Sequence, residues 1–261
     1  MIKKRLIGVV TVKDGWAVQS FGYGRYLPLG RPEVLVQNLD RWSADEIMLQ
    51  CIDRSRAGLG PDFGLLDRVA KLGIATPLIY AGGVRTADDA RVAVNMGADR
   101  IALDAMLRDD PEEVAKVGYQ LGAQAVIASL PMTANPKEAG GDAQWRDYRG
   151  RSDGPLSPEV RSMLDGGVIS EALIIDHAHD GEPGGFDPAV LETGLSDEVP
   201  IIAFGGISEA TCVTDLLKRP QIAAVAIGNF LSYREHAVQA YKEALIGVPV
   251  RPASYHRTIY A

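Results

Sequence analysis

Cysteine is nearly absent from this sequence. Among 261 residues only Cys51 and Cys212 occur, both in apolar surroundings. Two such residues make neither a disulfide framework nor a zinc spacing, and a reducing, cytoplasmic location is expected. Histidine is scarce as well, with His177, His179, His236 and His256 the complete set. Only His177 and His179 are neighbours, and no acidic third ligand stands at a metal-binding spacing, so no metal and no cofactor are expected. A basic excess is missing too. There are 27 Lys and Arg against 34 Asp and Glu, a net charge of −7, which argues against a nucleic acid or an anionic membrane as partner. No apolar run is long enough to cross a bilayer. The start, MIKKRLIGVVTV, has the charge-then-apolar order of a signal peptide. Its apolar run is short, lacks a small-residue cleavage site and leads straight into KDG, so it reads as a first strand. No stretch has the composition of a linker.

What the chain does have is alternation. Short β-branched runs recur between helical stretches along its whole length. Strands are predicted at 6–12, 46–52, 77–81, 100–104, 125–130, 172–177, 200–204 and 223–228, with helices beginning near Pro32, Phe63, Ala87, Pro111, Pro158, Pro188, Glu209 and Arg234. Asp110 before Pro111 and Ser157 before Pro158 are cap-then-proline starts, and Thr86 followed by Asp89 is a looser cap signal. Eight near-continuous apolar strands with eight intervening helices imply parallel strands buried on both faces, an α/β chain closed as a (β/α)8 TIM barrel. The two halves also match each other. RPEVLVQNLDRWSADEIML aligns with SPEVRSMLDGGVISEALI after one gap, and TPLIYAGGVR with VPIIAFGGIS, which superposes Gly82-Gly83 on Gly205-Gly206. This repeat predicts a single barrel domain over 1–261 built from half-barrels of about 1–123 and 124–261. The polar stretch 134–155 is the longest expected loop. It follows strand five, which puts it over the C-terminal mouth, where long loops serve as lids or binding loops.

In such a barrel the site lies at the C-terminal strand ends, with phosphate held by the turns after strands seven and eight. Gly205-Gly206 and Gly228-Asn229 close those strands, and Asp180-Gly181 follows strand six. They are the expected phosphate-binding set, with Gly82-Gly83 as the symmetry-related half-site. The second half-site is less apt, because a carboxylate at Asp104 repels phosphate unless turned away. For acid–base work the mouth offers Lys13, Asp14, Asp53, Arg54, Asp104, Asp176, His177, His179 and Asp180. Strand alternation sends Asp176 and His177 to opposite faces. The aligned halves pair Asp176 with Cys51, and both are expected inside the barrel. At the other end Arg5, Glu46, Arg100 and Glu171 start strands one, two, four and six with alternating sign, which reads as a salt-bridged plug.

The stretches VKDGWAV, ADEIML, GGVRTADDARVAVNMGADRIALD, GAQAVIAS, DGEPGGFD and PIIAFGGIS carry a resemblance over nearly the whole chain. It resembles the cyclase subunit of imidazole glycerol phosphate synthase and its paralogues, a half-barrel-duplicated (β/α)8 family. The resemblance implies a glutaminase partner whose ammonia enters at the N-terminal face, passes a charged gate and reaches a phosphorylated acceptor at the other mouth. It assigns the gate to Arg5, Glu46, Arg100 (a lysine in typical members) and Glu171, and glutaminase docking to Asp99. It also implies an aspartate at the ends of strands one and five. Here those positions hold Thr11 and Pro131, or Leu130 if the register slips by one; a lysine of the first loop is replaced by Gln19, and a threonine-type phosphate donor by Ala105. Neither Thr, Leu nor Pro shuttles protons near neutral pH, so ordinary cyclase activity is expected to be weak or absent. The catalytic set is therefore Thr11 and Lys13, with Asp53 and Asp176 as relocated acids. Such a pattern resembles the paralogous branch that helps amidate bacterial surface sugars. The expected function is a synthase- or lyase-type subunit of a glutamine amidotransferase complex, passing ammonia to a phosphorylated or activated-sugar acceptor. The alternatives are a genuine histidine-pathway cyclase and a non-catalytic binder of phosphorylated metabolites.

Overall fold

A computed structural model describes residues 3–134 and 142–255. Among them twelve strands form: β1 (Arg5–Lys13), β2 (Trp16–Phe21), β3 (Arg25–Gly30), β4 (Glu46–Cys51), β5 (Leu78–Ala81), β6 (Arg100–Leu103), β7 (Val126–Thr133), β8 (Gln144–Asp147), β9 (Ser152–Gly154), β10 (Glu171–Asp176), β11 (Ile201–Phe204) and β12 (Ile222–Ile227). The α-helices are α1 (Pro32–Arg41), α2 (Phe63–Ala70), α3 (Ala87–Asn95), α4 (Ala105–Asp109), α5 (Pro111–Leu121), α6 (Pro158–Asp165), α7 (Ala210–Lys218) and α8 (Ala237–Ala244). Eight of the strands pair in parallel in the order β10-β11-β12-β1-β4-β5-β6-β7, and pairing of β7 with β10 closes the ring. This is the (β/α)8 barrel expected from the alternation. No helix among the described residues is long and apolar enough to cross a membrane.

Local chemistry sets the helix starts. Asp110 and Ser157 accept the Glu113 and Val160 backbone N–H groups ahead of Pro111 and Pro158, and Thr86 with Asp89 forms a full capping box. Two expected helices are shorter than foreseen. At Pro188 the chain makes one 3-10 turn, Pro188–Leu191, before Glu192 leaves helical space and Gly194 takes φ +64°. Near Arg234 the helix waits until Ala237, because His236 is left-handed. The expected loop at 134–155 carries a hairpin, β8–β9, which adds antiparallel to the end of β7; residues 135–141 of that loop lie outside the described residues. A second hairpin, β2–β3, adds antiparallel to the end of β1.

Both faces of the barrel strands are apolar, but they build separate cores. Ile7, Met48, Ile79, Ile127, Leu173 and Ile202 fill the lumen, as side chains do in a barrel of eight strands. Val10, Leu49, Tyr80, Leu103, Leu130 and Ile174 pack outward under the helices. Alternation with period two then fixes which neighbours face the lumen.

Candidate active site

One end of the lumen is closed by charge. Arg5 Nη2 lies 2.6 Å from Glu171 Oε1, and Arg100 Nη1 lies 2.8 Å from Glu171 Oε2 and 3.3 Å from Glu46 Oε1. Arg5 Nη1 stands 3.3 Å from Glu46 Oε2, without an aligned hydrogen bond to that oxygen. Burial holds the Glu46 carboxyl above its usual range, against the pull of Arg5 and Arg100. The four residues thus make a continuous ring of alternating sign. Asp99, exposed on the same end, accepts the Leu78 N–H through Oδ2 at 2.8 Å.

The other end opens into a cavity of about 530 Å³. Its floor comes from inward residues at the strand ends: Gln50, Ala81, Ser129, Pro131 and Ile175. Gln50 Nε2 donates to Tyr23 Oη at 3.4 Å, while Gln50 Oε1 is buried with no partner among the described residues. The two hairpins supply the walls, with Tyr23 and Tyr26 from one and Arg146, Tyr148 and Arg151 from the other or its turn. Tyr23 stacks on His177, ring centroids 5.1 Å apart. Burial pushes the Tyr23 phenol well above its ordinary pKa, so it is a neutral donor. Burial, then Arg146, pushes the His177 imidazole down.

The two glycine turns differ in what fills them. Gly82 and Gly205 have φ of +123° and +104°, and a Cβ on either would fall 2.2 Å and 2.5 Å from the Cys51 and Asp176 carbonyl oxygens. Only glycine permits so close a backbone approach. At Gly82-Gly83 the Gly83 N–H donates to Ser55 Oγ (3.2 Å), and Ser55 Oγ donates to Asp104 Oδ1 (3.1 Å). Asp104 also accepts the Ala105 N–H at the start of α4, and Tyr148 Oη donates to its Oδ2 at 2.6 Å. At Gly205-Gly206 the hairpin β2–β3 is latched down. Ser20 Oγ and the Tyr23 N–H donate to Asp180 Oδ2 at 2.6 and 3.1 Å, and Asn229 exchanges two hydrogen bonds with the Ser20 backbone. Asp180, Gly181, Gly205, Gly206, Gly228 and Asn229 do converge, with Thr11 beneath them, around a space of about 10 Å³.

Two expectations need correction. Asp176 and Cys51 were expected inside the barrel, but the parity of Met48, Gln50, Leu173 and Ile175 turns both outward. Asp176 is fully buried under the helix layer, accepting the Asp187 N–H at 2.8 Å and pairing with His179 Nδ1 at 2.8 Å. Cys51 packs in the outer core, where burial pushes its thiol up to about 12. Asp53 accepts the Asp14 N–H at 2.9 Å, bracing the turn after β1, and does not line the cavity. Lys13 does line it, ion-paired with Asp14 and 5.5 Å from the Tyr26 ring centre. Of the strand-five alternatives, Pro131 faces the cavity and Leu130 the outer core. Sequence reasoning missed Gln50, although it is the one neutral polar residue in the apolar run EIMLQC. It also missed Tyr23, Tyr148, Arg56, Arg146 and Arg151, which reach the cavity from hairpins and loops that leave no periodic signal.

A closed parallel barrel with an ionic ring at one end and a walled cavity at its C-terminal mouth defines the class: a (β/α)8-barrel protein with the site placement usual for enzymes of that fold. The chain belongs to the histidine biosynthesis protein family, whose model matches residues 5–237. It is 29% identical over 246 residues to a Vibrio vulnificus protein provisionally named imidazole glycerol phosphate synthase subunit hisF2, covering 93% of this chain and 88% of the relative. It is 27% identical over 261 residues to the Staphylococcus saprophyticus imidazole glycerol phosphate synthase subunit HisF, covering 96% and 100%. A second protein provisionally named hisF2, from Pseudomonas aeruginosa, is 26% identical over 239 residues, covering 90% and 94%.

Proposed function

We propose that this chain is the ammonia-accepting barrel subunit of a glutamine-dependent amidotransferase. A separate glutaminase docks on the face that carries the ionic ring and Asp99. Ammonia crosses the barrel to a phosphorylated or activated-sugar acceptor in the cavity. The observation that carries this reading is the inward series on β4. Glu46 belongs to the ring, Met48 to the apolar lumen, and Gln50, with its unpartnered amide oxygen, to the cavity floor. An apolar lumen suits neutral ammonia, because an ammonium ion pays heavily for losing water. Gln50 Oε1 offers an arriving N–H its first acceptor. Thr11 and Pro131, at the ends of β1 and β7, bring no acid to that floor.

The test is co-expression with the class I glutaminases of the same genome. A complex is expected in which glutamine hydrolysis rises at least about tenfold and falls again with Asp99→Ala. Failure of every such glutaminase to bind or to be stimulated sinks the proposal. One observation favours a second reading, a relocated cyclase centre: Asp104 and His177 both line the cavity. Growth of a cyclase-deficient strain on this chain alone, without histidine, would establish that reading instead.

A further inference from the structure

The cavity has an anion-recognition problem. The glycine turns are the expected phosphate sites, yet at one of them protein groups already fill the turn. At Gly82-Gly83 the Asp104 carboxylate already takes the Ala105 N–H, Ser55 Oγ and Tyr148 Oη. A phosphate there would meet a like charge. At Gly205-Gly206 the turn borders a small space of about 10 Å³, with no arginine or lysine among the described residues that line it.

Positive charge gathers elsewhere. Arg56, Arg146 and Arg151 line the cavity together with Lys13, against Asp104 as the one lining carboxylate among the described residues, in a chain of net charge −7. Lys13 is neutralised by Asp14, and Arg146 Nη1 by Asp153 at 3.0 Å. Arg56 spends one N–H on the Tyr148 carbonyl at 3.2 Å. Neither Arg56 nor Arg151 forms an ion pair among the described residues. Arg146 Nε is buried with no acceptor among the described residues. A buried N–H without a partner is costly, and an incoming oxygen removes that cost. At the floor, Gln50 Oε1 is the complementary case, an acceptor without a donor.

We infer that the anionic end of the ligand is held by the side chains of Arg56, Arg146 and Arg151. The ligand is a phosphate or diphosphate ester whose neutral, hydroxyl-bearing body fills the cavity down to Gln50. This rests on the reading above only in taking the cavity as the acceptor's site. Guanidinium forks match phosphate oxygens in pairs. The remaining lining is compatible with the body: Ser129 and Gln50 for hydroxyls, with Ala81, Pro131 and Ile175 for the ring faces between them.

Calorimetric titration of the full chain at low ionic strength tests this, with sodium pyrophosphate and inorganic phosphate as separate probes. Saturable pyrophosphate binding is expected. The combined variant Arg56→Gln, Arg146→Gln, Arg151→Gln should weaken it by at least about 30-fold, with circular dichroism and melting unchanged. Tighter binding of pyrophosphate than of phosphate supports a diphosphate ester, and comparable binding a monoester. Binding that survives the triple variant returns the anion to the glycine turns and overturns the inference. No saturable binding of either probe to the unaltered chain does the same. Neither probe needs ammonia or a glutaminase, so failure here and failure of the amidotransferase reading are separately visible.

Discussion

His177 and His179 stand two residues apart, and their titrations act on the fold in opposite senses. His177 faces the cavity, stacked on Tyr23, with Arg146 and Asp153 on the facing hairpin and Asp176 just before it at the end of β10. Burial first, then Arg146, depresses its pKa. The unfolded chain therefore binds the proton more readily, and His177 costs stability as the pH falls below about 6.5. His179 is held the other way. Its hydrogen bond to Asp176 raises its pKa, with Asp187 and Glu182 adding to the pull. Its contribution is fully present below about 6.5 and is lost as the pH rises through its folded value. Urea midpoints between about pH 5.5 and 8.5 should separate the two. His179→Gln is expected to remove a decline on the alkaline side, and His177→Gln a decline on the acid side. An alkaline decline that persists unchanged in His179→Gln would show that the Asp176 bond does not hold its proton. The sequence made Asp176 and His177 face opposite ways, and they do. Which of them faced the lumen was not legible, because the parity is set by the register of the whole barrel, anchored on residues as distant as Met48 and Ile7.

At the scale of elements, the two hairpins shape the site, and both were hard to foresee. The barrel strands announce themselves by unbroken β-branched runs, and the helix starts by Asp, Ser or Thr caps. By contrast, β3 reads RYLPLG, with a proline and no buried residue, and β8–β9 lie in a polar stretch that looks like open loop. Their strand character comes from tertiary pairing onto the ends of β1 and β7, which local pattern does not reveal. The hairpin β2–β3 depends on Asp180, whose carboxylate accepts from Ser20 Oγ and the Tyr23 N–H, and whose own carbonyl accepts the Gly22 N–H at 2.8 Å. Burial raises the Asp180 pKa against those hydrogen bonds. Asp180→Asn keeps an acceptor oxygen and removes the buried charge, so the hairpin should stay closed. Asp180→Ala leaves two donors unmet, at about 1–3 kcal/mol. Amide exchange over residues 16–30 should then accelerate about tenfold or more in Asp180→Ala and stay near the parent rate in Asp180→Asn. Equal exchange in all three would show that the latch lies elsewhere, in the Asn229 pair with Ser20.

At the scale of the whole molecule, a charged ring and an open cavity lie at opposite ends of one barrel. The alternating charges of Arg5, Glu46, Arg100 and Glu171 were visible in the sequence because each begins a strand. That they meet in a closed ring requires the barrel to be shut, which the pairing of β7 with β10 provides. Within the ring the two carboxylates are not equivalent. Glu171 makes the close pairs, at 2.6 and 2.8 Å, while Glu46 has contacts of 3.3 Å, a raised pKa and an oxygen without an aligned donor. Removing a carboxylate from a buried pair is costly chiefly because it strands the opposite charge. Glu171→Gln should therefore destabilise the chain by about 3 kcal/mol. Glu46→Gln should cost about 1 kcal/mol or less, since Glu171 still serves both arginines and a desolvated charge is lost. Equilibrium urea unfolding measures the difference. From Glu46 to Gln50 the strand climbs about 13 Å, which sets the ring well apart from the cavity. Neither substitution should then change pyrophosphate affinity at the far mouth by more than about twofold. A large loss of affinity in Glu171→Gln would mean that the ring and the cavity move together, and that the barrel couples its two ends instead of merely spanning them.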